Sequence, residues 1–142
     1  MLKTVMLVDD DDVTLMICKL RLEKAKFCKE VIRFENGSDA IQFFEKQLLL
    51  PTEQRTEPEL IFLDINMPVM NGWEFIQSFE AHYLSIFPNT KIIILSSSVD
   101  PKDEEMAMAN QRILGFLTKP LSDQNLQELM HNTYFINKFN HS

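Results

Sequence analysis

Three short runs of apolar residues stand out along the chain, and none of them alternates with polar positions. They occupy residues 5–8, 60–63 and 92–95, and each is followed by polar turn residues. A strand of a parallel sheet that is covered by helices on both faces has this continuous apolar character. The pattern therefore predicts three central strands of a parallel sheet.

Helical periodicity and weaker strand signals fill the rest of the chain. Val13, Met16, Ile17 and Leu20 have the spacing of a helix that turns one apolar stripe toward a core. Further helices are predicted at residues 41–49, 75–83, 100–109 and 126–133. In the fourth of these five helices, Asp100 is the expected N-cap and Pro101 the first helical residue. The β-branched and aromatic residues of segments 31–34 and 113–117 predict two more strands.

The resulting order is a strand followed by a helix, five times. Such alternation requires right-handed crossovers, and it predicts an α/β fold with a parallel sheet and helices on both faces. Residues 51–59, with two prolines and three glutamates, predict a solvated surface loop. A length of 142 residues suits one domain. We expect residues 1–142 to form a single domain with a short frayed tail and no second domain.

The overall composition excludes several classes of protein. Apolar residues make up 45% and charged residues 25%, which is the balance of a folded globular domain. The net charge of -7 repels phosphate backbones, so we expect no direct binding of nucleic acid. The glycines at positions 37, 72 and 115 are too scattered for a glycine-rich loop that would hold a nucleotide phosphate.

Cysteine content and apolar run lengths bear on the compartment. Cys18 and Cys28 are too few for a disulfide framework or a zinc site, and we interpret both as packing residues in a reducing cytosol. No apolar run approaches the roughly 18 residues of a membrane helix. Four aspartates at positions 9–12 interrupt the apolar N-terminal stretch, which a secretory signal would not tolerate. We therefore expect a cytoplasmic protein without membrane insertion.

Chemically reactive side chains follow four of the predicted strands. Asp9 and Asp10 follow the first strand, Asp64 the third, Ser96 the fourth and Lys119 the fifth. In an open parallel sheet the ligand site lies beyond these carboxyl ends. Crowded carboxylates repel one another unless a cation lies among them, and Mg²⁺ suits oxygen ligands that also face phosphate. Together with an ammonium group and a hydroxyl, this set predicts phosphoryl transfer to a carboxylate.

Four fragments in this order resemble the response-regulator receiver domain of two-component signalling. They read Leu7-Val8-Asp9-Asp10, Leu63-Asp64-Ile65-Asn66-Met67-Pro68-Val69-Met70-Asn71-Gly72, Ser96, and Lys119-Pro120. The similarity extends from about Lys3 to the last helix. It implies a flavodoxin-like (βα)5 fold with the strand order 2-1-3-4-5.

The resemblance also implies a role for each acidic residue of the site. Asp64 would be the phosphoacceptor and a ligand of Mg²⁺. Asp10 and the backbone carbonyl of Asn66 would bind the metal directly, and Asp9 would reach it through a water molecule.

Three further residues would respond to the phosphoryl group. Ser96 would donate a hydrogen bond to it, and Lys119 would form an ion pair with it. Phe116 falls where the family has an aromatic residue that turns inward as the hydroxyl residue moves. The Lys119–Pro120 peptide bond would be cis.

The function implied is that of a stand-alone switch. A histidine kinase or a histidine phosphotransfer protein would supply the phosphoryl group. The domain would catalyse its own phosphorylation, lose the group slowly to water, and act on an unidentified downstream protein. It would not be an enzyme with a separate substrate. A homodimer would use the face of the fourth helix, fifth strand and fifth helix.

Three alternatives remain beside this interpretation. A phosphatase of the haloacid-dehalogenase type would use Asp9 as nucleophile and Asp11 as general acid, with Ser96 and Lys119 in its later motifs, but it leaves residues 64–72 unexplained. A pseudo-receiver would have the fold without phosphorylation. A flavodoxin-like electron carrier would place its flavin phosphate against aspartates.

For Asp11 and Asp12 themselves, capping of the first helix is the simplest role.

Overall fold

The computed structural model describes residues 1–98 and 100–139, in which five strands alternate with helices. In chain order the elements are β1 (Leu2–Val8), α1 (Asp12–Lys24), β2 (Cys28–Phe34), α2 (Gly37–Gln47), β3 (Leu60–Leu63), α3 (Gly72–His82), β4 (Lys91–Ser96), α4 (Pro101–Met108), β5 (Ile113–Thr118), α5 (Asp123–Met130) and α6 (Ile136–Phe139). All strand pairs are parallel, and the sheet order is β2-β1-β3-β4-β5. The predicted fold class and strand order are confirmed.

The three central strands are in register at their carboxyl ends. Val8 of β1 pairs with Leu63 of β3, and Leu63 pairs with Ile94 of β4. Every residue of β3 is buried, as the continuous apolar run predicts for a strand that is covered on both faces. The residues that follow these strands therefore meet at one edge of the sheet.

Each face of the sheet carries its own apolar cluster. Ile61 and Leu63 point to the face covered by α2, α3 and α4, where Phe44 and Phe79 are fully buried. Leu60 and Phe62 point to the opposite face, which is covered by α1 and α5. This division follows from the period-2 alternation of side chains along a strand. Helices close both faces of the sheet to water, so a ligand can approach it only beyond the ends of the strands.

The predicted apolar face of α1 is wrong. Val13, Met16 and Leu20 are 56%, 51% and 59% exposed, and Ile17 is only half-buried. The side chains of α1 that enter the core are Leu15, Cys18 and Leu22. The two stripes have similar spacing, so periodicity alone does not choose between them. The choice is made by the direction in which the chain leaves β1 and enters the helix.

The segment at residues 51–59 is more ordered than a solvated loop. It begins with one 3₁₀ turn, Thr52–Gln54. The Nε atom of Arg55 donates hydrogen bonds to the carbonyl oxygens of Gln47 and Leu50, and the Thr56 amide donates to Oε1 of Gln47. The bonds from Arg55 satisfy backbone carbonyl groups at the end of α2 and just after it. Residues 51–54 are exposed, as predicted, whereas residues 55–59 are partly or fully buried.

The helix boundaries agree with the prediction at some ends and depart from it at others. Asp100 caps α4 and Pro101 is its first residue, as expected. The last predicted helix, 126–133, is instead α5 followed by the short α6, with Phe135 buried between them. The tail predicted for the last few residues falls largely on 140–142, which lie outside the described residues. None of the helices in the described ranges has the length and apolar character needed to cross a lipid bilayer.

Candidate functional site

Three carboxylates meet at the carboxyl edge of the sheet. Asp9 follows β1 and Asp64 follows β3, and both side chains are buried, whereas Asp10 is exposed. One oxygen atom from each of these three residues lies within 4.8 Å of the other two. The register of β1 with β3 produces this proximity, as the sequence predicts.

Lys119 provides positive charge within the same cluster. Its Nζ atom lies 2.6 Å from Oδ2 of Asp9 and 3.5 Å from Oδ2 of Asp64. The residue follows β5, and its backbone amide donates a hydrogen bond of 2.7 Å to the carbonyl oxygen of Ser96. The Lys119–Pro120 bond is cis, as predicted from the resemblance. Lys119 thus links the end of β5 to the end of β4 through one backbone hydrogen bond, and to the ends of β1 and β3 through two ion pairs.

The proton affinities of these groups reflect their burial. Desolvation, followed by the charge of Asp9, raises the pKa of Asp64 from 3.8 to about 6, although Lys119 opposes the shift. Desolvation also raises the pKa of Asp9. Burial alone would lower the pKa of Lys119, but the hydrogen bond and charge of Asp9, with those of Asp64, raise it. One ammonium group therefore does not fully compensate the two buried carboxylates.

The donor set fits a hard divalent cation. Asp9, Asp10 and Asp64 supply only oxygen atoms, which are the ligands that Mg²⁺ and Ca²⁺ prefer. The charge that Lys119 leaves uncompensated is a second reason for a cation to bind here. The amide of Asn66 donates a hydrogen bond of 3.2 Å to Oδ1 of Asp64, so this loop residue adjoins the cluster. A role for the Asn66 carbonyl in metal binding stays a prediction.

Asp11 and Asp12 belong to the start of α1, as the simpler of the two interpretations proposed. Asp11 is the N-cap, and its carboxylate accepts hydrogen bonds from the Val13 amide and the Thr14 hydroxyl. The bond from Thr14 lowers the pKa of Asp11. Asp12 lies in the first turn, where its charge suits the helix dipole. A capping carboxylate with a lowered pKa is unsuited to the general-acid role that the phosphatase alternative gives it.

The two predicted switch residues occupy neighbouring strands. Ser96 ends β4 and is buried, and its Oγ atom accepts a 3.4 Å hydrogen bond from the Ser98 amide. Phe116 lies on β5 opposite Ile94 and packs, half-buried, against the apolar cluster beneath α3. Their movement on phosphorylation stays a prediction.

Gly72 is a positioning residue whose importance was missed from the sequence. A Cβ atom at this position would lie 2.6 Å from the carbonyl oxygen of Asp64 and 2.8 Å from the Cα of Ile65. The Gly72 amide donates a hydrogen bond to the Ile65 carbonyl, which closes the loop between β3 and α3. The available signal was a lone glycine eight residues after Asp64. Only glycine permits this close approach of the backbone.

This chain resembles known proteins both in sequence and in structure. Residues 5–131 match the family model of the response regulator receiver domain. A crystal structure of a two-component response regulator from Cytophaga hutchinsonii superimposes with a TM-score of 0.83 and 29% identity, covering 96% of this chain and 98% of that one. A receiver protein from Dyadobacter fermentans gives a TM-score of 0.76 and 27% identity, covering 94% and 98% of the two chains.

A curated relative is longer than this chain. The nitrate/nitrite response regulator NarL of Escherichia coli is 28% identical over 129 residues, which are 90% of this chain. The chain spans about half of NarL, 53% of its length. It spans 20% or less of the three curated relatives that match more strongly.

The buried charge of Asp64 predicts a measurable effect on stability. Since the pKa is raised from 3.8 to about 6, ionised Asp64 destabilises the fold, and wild-type stability falls as the pH rises through this range. In EDTA at pH 7.5, Asp64→Asn should increase the free energy of unfolding by about 1–2 kcal/mol. Urea denaturation measures this change.

The same variant should lose its advantage as the pH falls from 6 to 4, because the wild-type carboxyl group then becomes protonated. Glu30→Gln, which removes an exposed carboxylate from β2, is the matched control and should change stability little. An Asp64→Asn protein that is less stable than wild type at pH 7.5 would show that Lys119 already compensates the charge.

Proposed function

Because the chain belongs to the response regulator receiver domain family, we propose that it is a phosphoacceptor switch in which Asp64 receives the phosphoryl group. The observation that carries this proposal is the position of the Lys119 Nζ atom between two buried carboxylates, 2.6 Å from Asp9 and 3.5 Å from Asp64. An ammonium group so placed can pair with phosphoryl oxygens when Asp64 is modified.

The transfer itself requires little from the protein beyond positioning and charge. An oxygen of the Asp64 carboxylate attacks the phosphorus of a phosphohistidine on the donor protein. The new P–O bond forms as the P–N bond breaks, and the imidazole nitrogen retains the electron pair and takes up a proton. Lys119 balances charge on the phosphoryl oxygens, and the Ser96 hydroxyl donates a hydrogen bond to one of them. Hydrolysis of the acyl phosphate later restores the carboxylate.

We assign Mg²⁺ to the three-carboxylate cluster. Asp10, Asp64 and the Asn66 carbonyl would hold the ion directly, and Asp9 would do so through a water molecule. When bound, Mg²⁺ supplies positive charge that neutralises the phosphoryl oxygens. The oxygen-only donor set and the raised pKa values of Asp9 and Asp64 support this assignment.

A route from Asp64 to the protein surface runs through β4 and β5. The Lys119 amide is bonded to the Ser96 carbonyl, and Phe116 lies two residues before the end of β5. A phosphoryl group that draws Ser96 and Lys119 toward Asp64 would shift these neighbouring strands. The face formed by α4, β5 and α5 would then change, either for a downstream protein or for a second copy of the chain. Such a switch requires two states with different affinities for the phosphoryl group.

The exposed apolar stripe of α1 is a suitable surface for the phosphodonor. Val13, Met16 and Leu20 are each more than half exposed, and α1 starts directly beside Asp9 and Asp10. Ile17 also lines a cavity of about 280 Å³ together with Lys119. A histidine kinase or a histidine phosphotransfer protein that packs a helix on this stripe would bring its phosphohistidine to the site.

We also favour a reducing compartment, because the two thiols are unpaired. Cys18 is buried, and burial raises the pKa of both Cys18 and Cys28 to about 11. Protonated thiols of this kind react poorly and act as packing groups. This supports a cytoplasmic site of action, where histidine-linked phosphoryl donors would be available.

Incubation with acetyl phosphate and Mg²⁺ tests the function directly. We expect the intact mass of the protein to increase by one phosphoryl group. Asp64→Asn should abolish the increase because the attacking carboxylate is absent. Intact-mass spectrometry of both proteins, with and without EDTA, gives the result.

Asp123→Asn is the matched control, since Asp123 is an exposed aspartate at the start of α5 whose carboxylate pairs with Arg21 and not with Lys119. It should be phosphorylated like the wild type. Equal phosphorylation of Asp64→Asn would mean that another group is the acceptor, and phosphate turnover that persists in Asp64→Asn would favour the phosphatase alternative, whose nucleophile is Asp9.

Donor docking on α1 is tested by comparing a protein donor with a small one. Leu20→Asp should slow phosphoryl transfer from a phosphorylated histidine phosphotransfer domain by about tenfold, because a charge replaces an apolar contact. Transfer from acetyl phosphate should be unchanged. Glu23→Asp, which alters an exposed side chain of the same helix, should change the rate of transfer from neither donor. Equal slowing of both donors by Leu20→Asp would assign the effect to the site and not to docking.

A further inference from the structure

Helix α4 is weakly anchored in the apolar core. Its eight residues all lie within the described ranges, and only Ala107 among them is buried. Met106 and Met108, the large apolar side chains of this helix, are 50% and 87% exposed. Helix α3, in contrast, buries three large apolar side chains. Burial of apolar surface therefore holds α3 firmly and α4 only weakly.

Two side-chain hydrogen bonds join α4 to α3. The Trp73 Nε1 atom, at the start of α3, donates a hydrogen bond of 2.9 Å to Oδ1 of Asp103 in the first turn of α4. Toward the other end of the two helices, Nδ2 of Asn110 donates to the carboxylate of Glu80 at 3.3 Å. Both bonds are partly buried, which shields them from competing water. These polar contacts add to the weak apolar anchoring of α4.

Trp73 is directly connected to the backbone around Asp64. The residue before it is Gly72, where a Cβ atom would lie 2.6 Å from the carbonyl oxygen of Asp64. The Gly72 amide also donates a hydrogen bond of 2.8 Å to the carbonyl oxygen of Ile65. Glu80, in contrast, lies near the C-terminal end of α3. Of the two bonds between α3 and α4, the one from Trp73 therefore begins at the candidate site.

We propose that Trp73 is a positioning residue of the switch, whose hydrogen bond to Asp103 couples the backbone around Asp64 to the position of α4. A shift of the Asp64 backbone moves Gly72 and the adjoining Trp73, because their close packing leaves no room between them. The indole then carries the first turn of α4 with it, since little apolar burial opposes a movement of this helix. The contacts from Asp64 to Asp103 thus form the contiguous chain that mechanical coupling uses.

This route along the start of α3 differs from the route through β4 and β5. Ser96 and Phe116 lie on those strands, and neither takes part in the bond between Trp73 and Asp103. The inference rests on the proposed function, because it names α4 as an element that responds when Asp64 is modified. Its first half, that Trp73 positions α4, concerns the unmodified protein. The two halves can therefore be measured separately.

Hydrogen–deuterium exchange of the α4 backbone amides tests whether Trp73 positions the helix. Trp73→Phe removes the N–H donor and keeps an aromatic ring, and Asp103→Ala removes the acceptor. Each substitution should increase the exchange rate of the α4 amides by about fivefold, as expected for the loss of one partly buried hydrogen bond. The double variant should exchange about as fast as either single variant, because both substitutions remove the same bond.

Glu104→Ala is the matched control for Asp103→Ala. Both carboxylates lie in the first turn of α4, so each substitution removes one negative charge from the same end of the helix. Glu104 is exposed, and the Trp73 indole donates to Asp103 and not to it. Glu104→Ala should therefore increase the exchange rate of the α4 amides by about twofold or less, as expected for a surface substitution.

Beryllofluoride with Mg²⁺ tests the coupling, with amide chemical shifts from NMR as the measurement. In the wild type we expect shift changes both at Asn66, whose amide is bonded to Asp64, and along α4. In Trp73→Phe and Asp103→Ala the change at Asn66 should remain, which shows that beryllofluoride is bound. The changes along α4 should fall to about half or less, because the coupling contact is absent. Glu104→Ala should retain both sets of changes.

Full-sized shift changes along α4 in Trp73→Phe and Asp103→Ala would overturn the coupling, because the bond would then stabilise the helix without transmitting a change. Unchanged exchange rates in both variants would overturn the positioning role. Equal acceleration by Glu104→Ala and Asp103→Ala would also overturn it, since loss of charge would explain the effect. A wild type without a shift change at Asn66 would contradict the proposed function, and the exchange rates would still decide whether Trp73 positions α4.

Discussion

The ion pairs between Lys119 and two buried carboxylates are the interaction on which the rest of the structure depends. Asp9 and Asp64 lie at the ends of apolar strands, where an uncompensated charge is costly. Lys119 compensates part of this charge, and the raised pKa of Asp64 shows that part remains. A site in this state gains free energy by binding a cation. The charge that Lys119 leaves uncompensated therefore weakens the fold and favours a cation at this site, as the proposed function requires.

Three simple features of the backbone hold these charged side chains in place. In-register pairing of β1 with β3 brings the two aspartates together, and close backbone packing at Gly72 holds the loop after Asp64. The bond from the Lys119 amide to Ser96 ties β5 to β4 at the same edge. Helices α3 and α4 also start from this end of the sheet.

The sequence predicted the central strands and the residues that follow them, because buried parallel strands have continuous apolar runs, whereas the strand order was predicted only from the resemblance to the receiver family. It failed for α1, where Leu20 was expected in the core and is exposed, since two apolar stripes of similar spacing compete. The contact of Gly72 with Asp64 and the bond from Trp73 to Asp103 could not be predicted. Both depend on how separate elements pack, which local periodicity does not encode.

A crystal structure with Mg²⁺ and beryllofluoride tests the central claim most directly, since beryllofluoride resembles a phosphoryl group. We expect beryllofluoride on Asp64, with Lys119 moved from Asp9 to contact it and with the metal bound by Asp10. An empty pocket in which the Lys119 ammonium points to solvent would contradict the account.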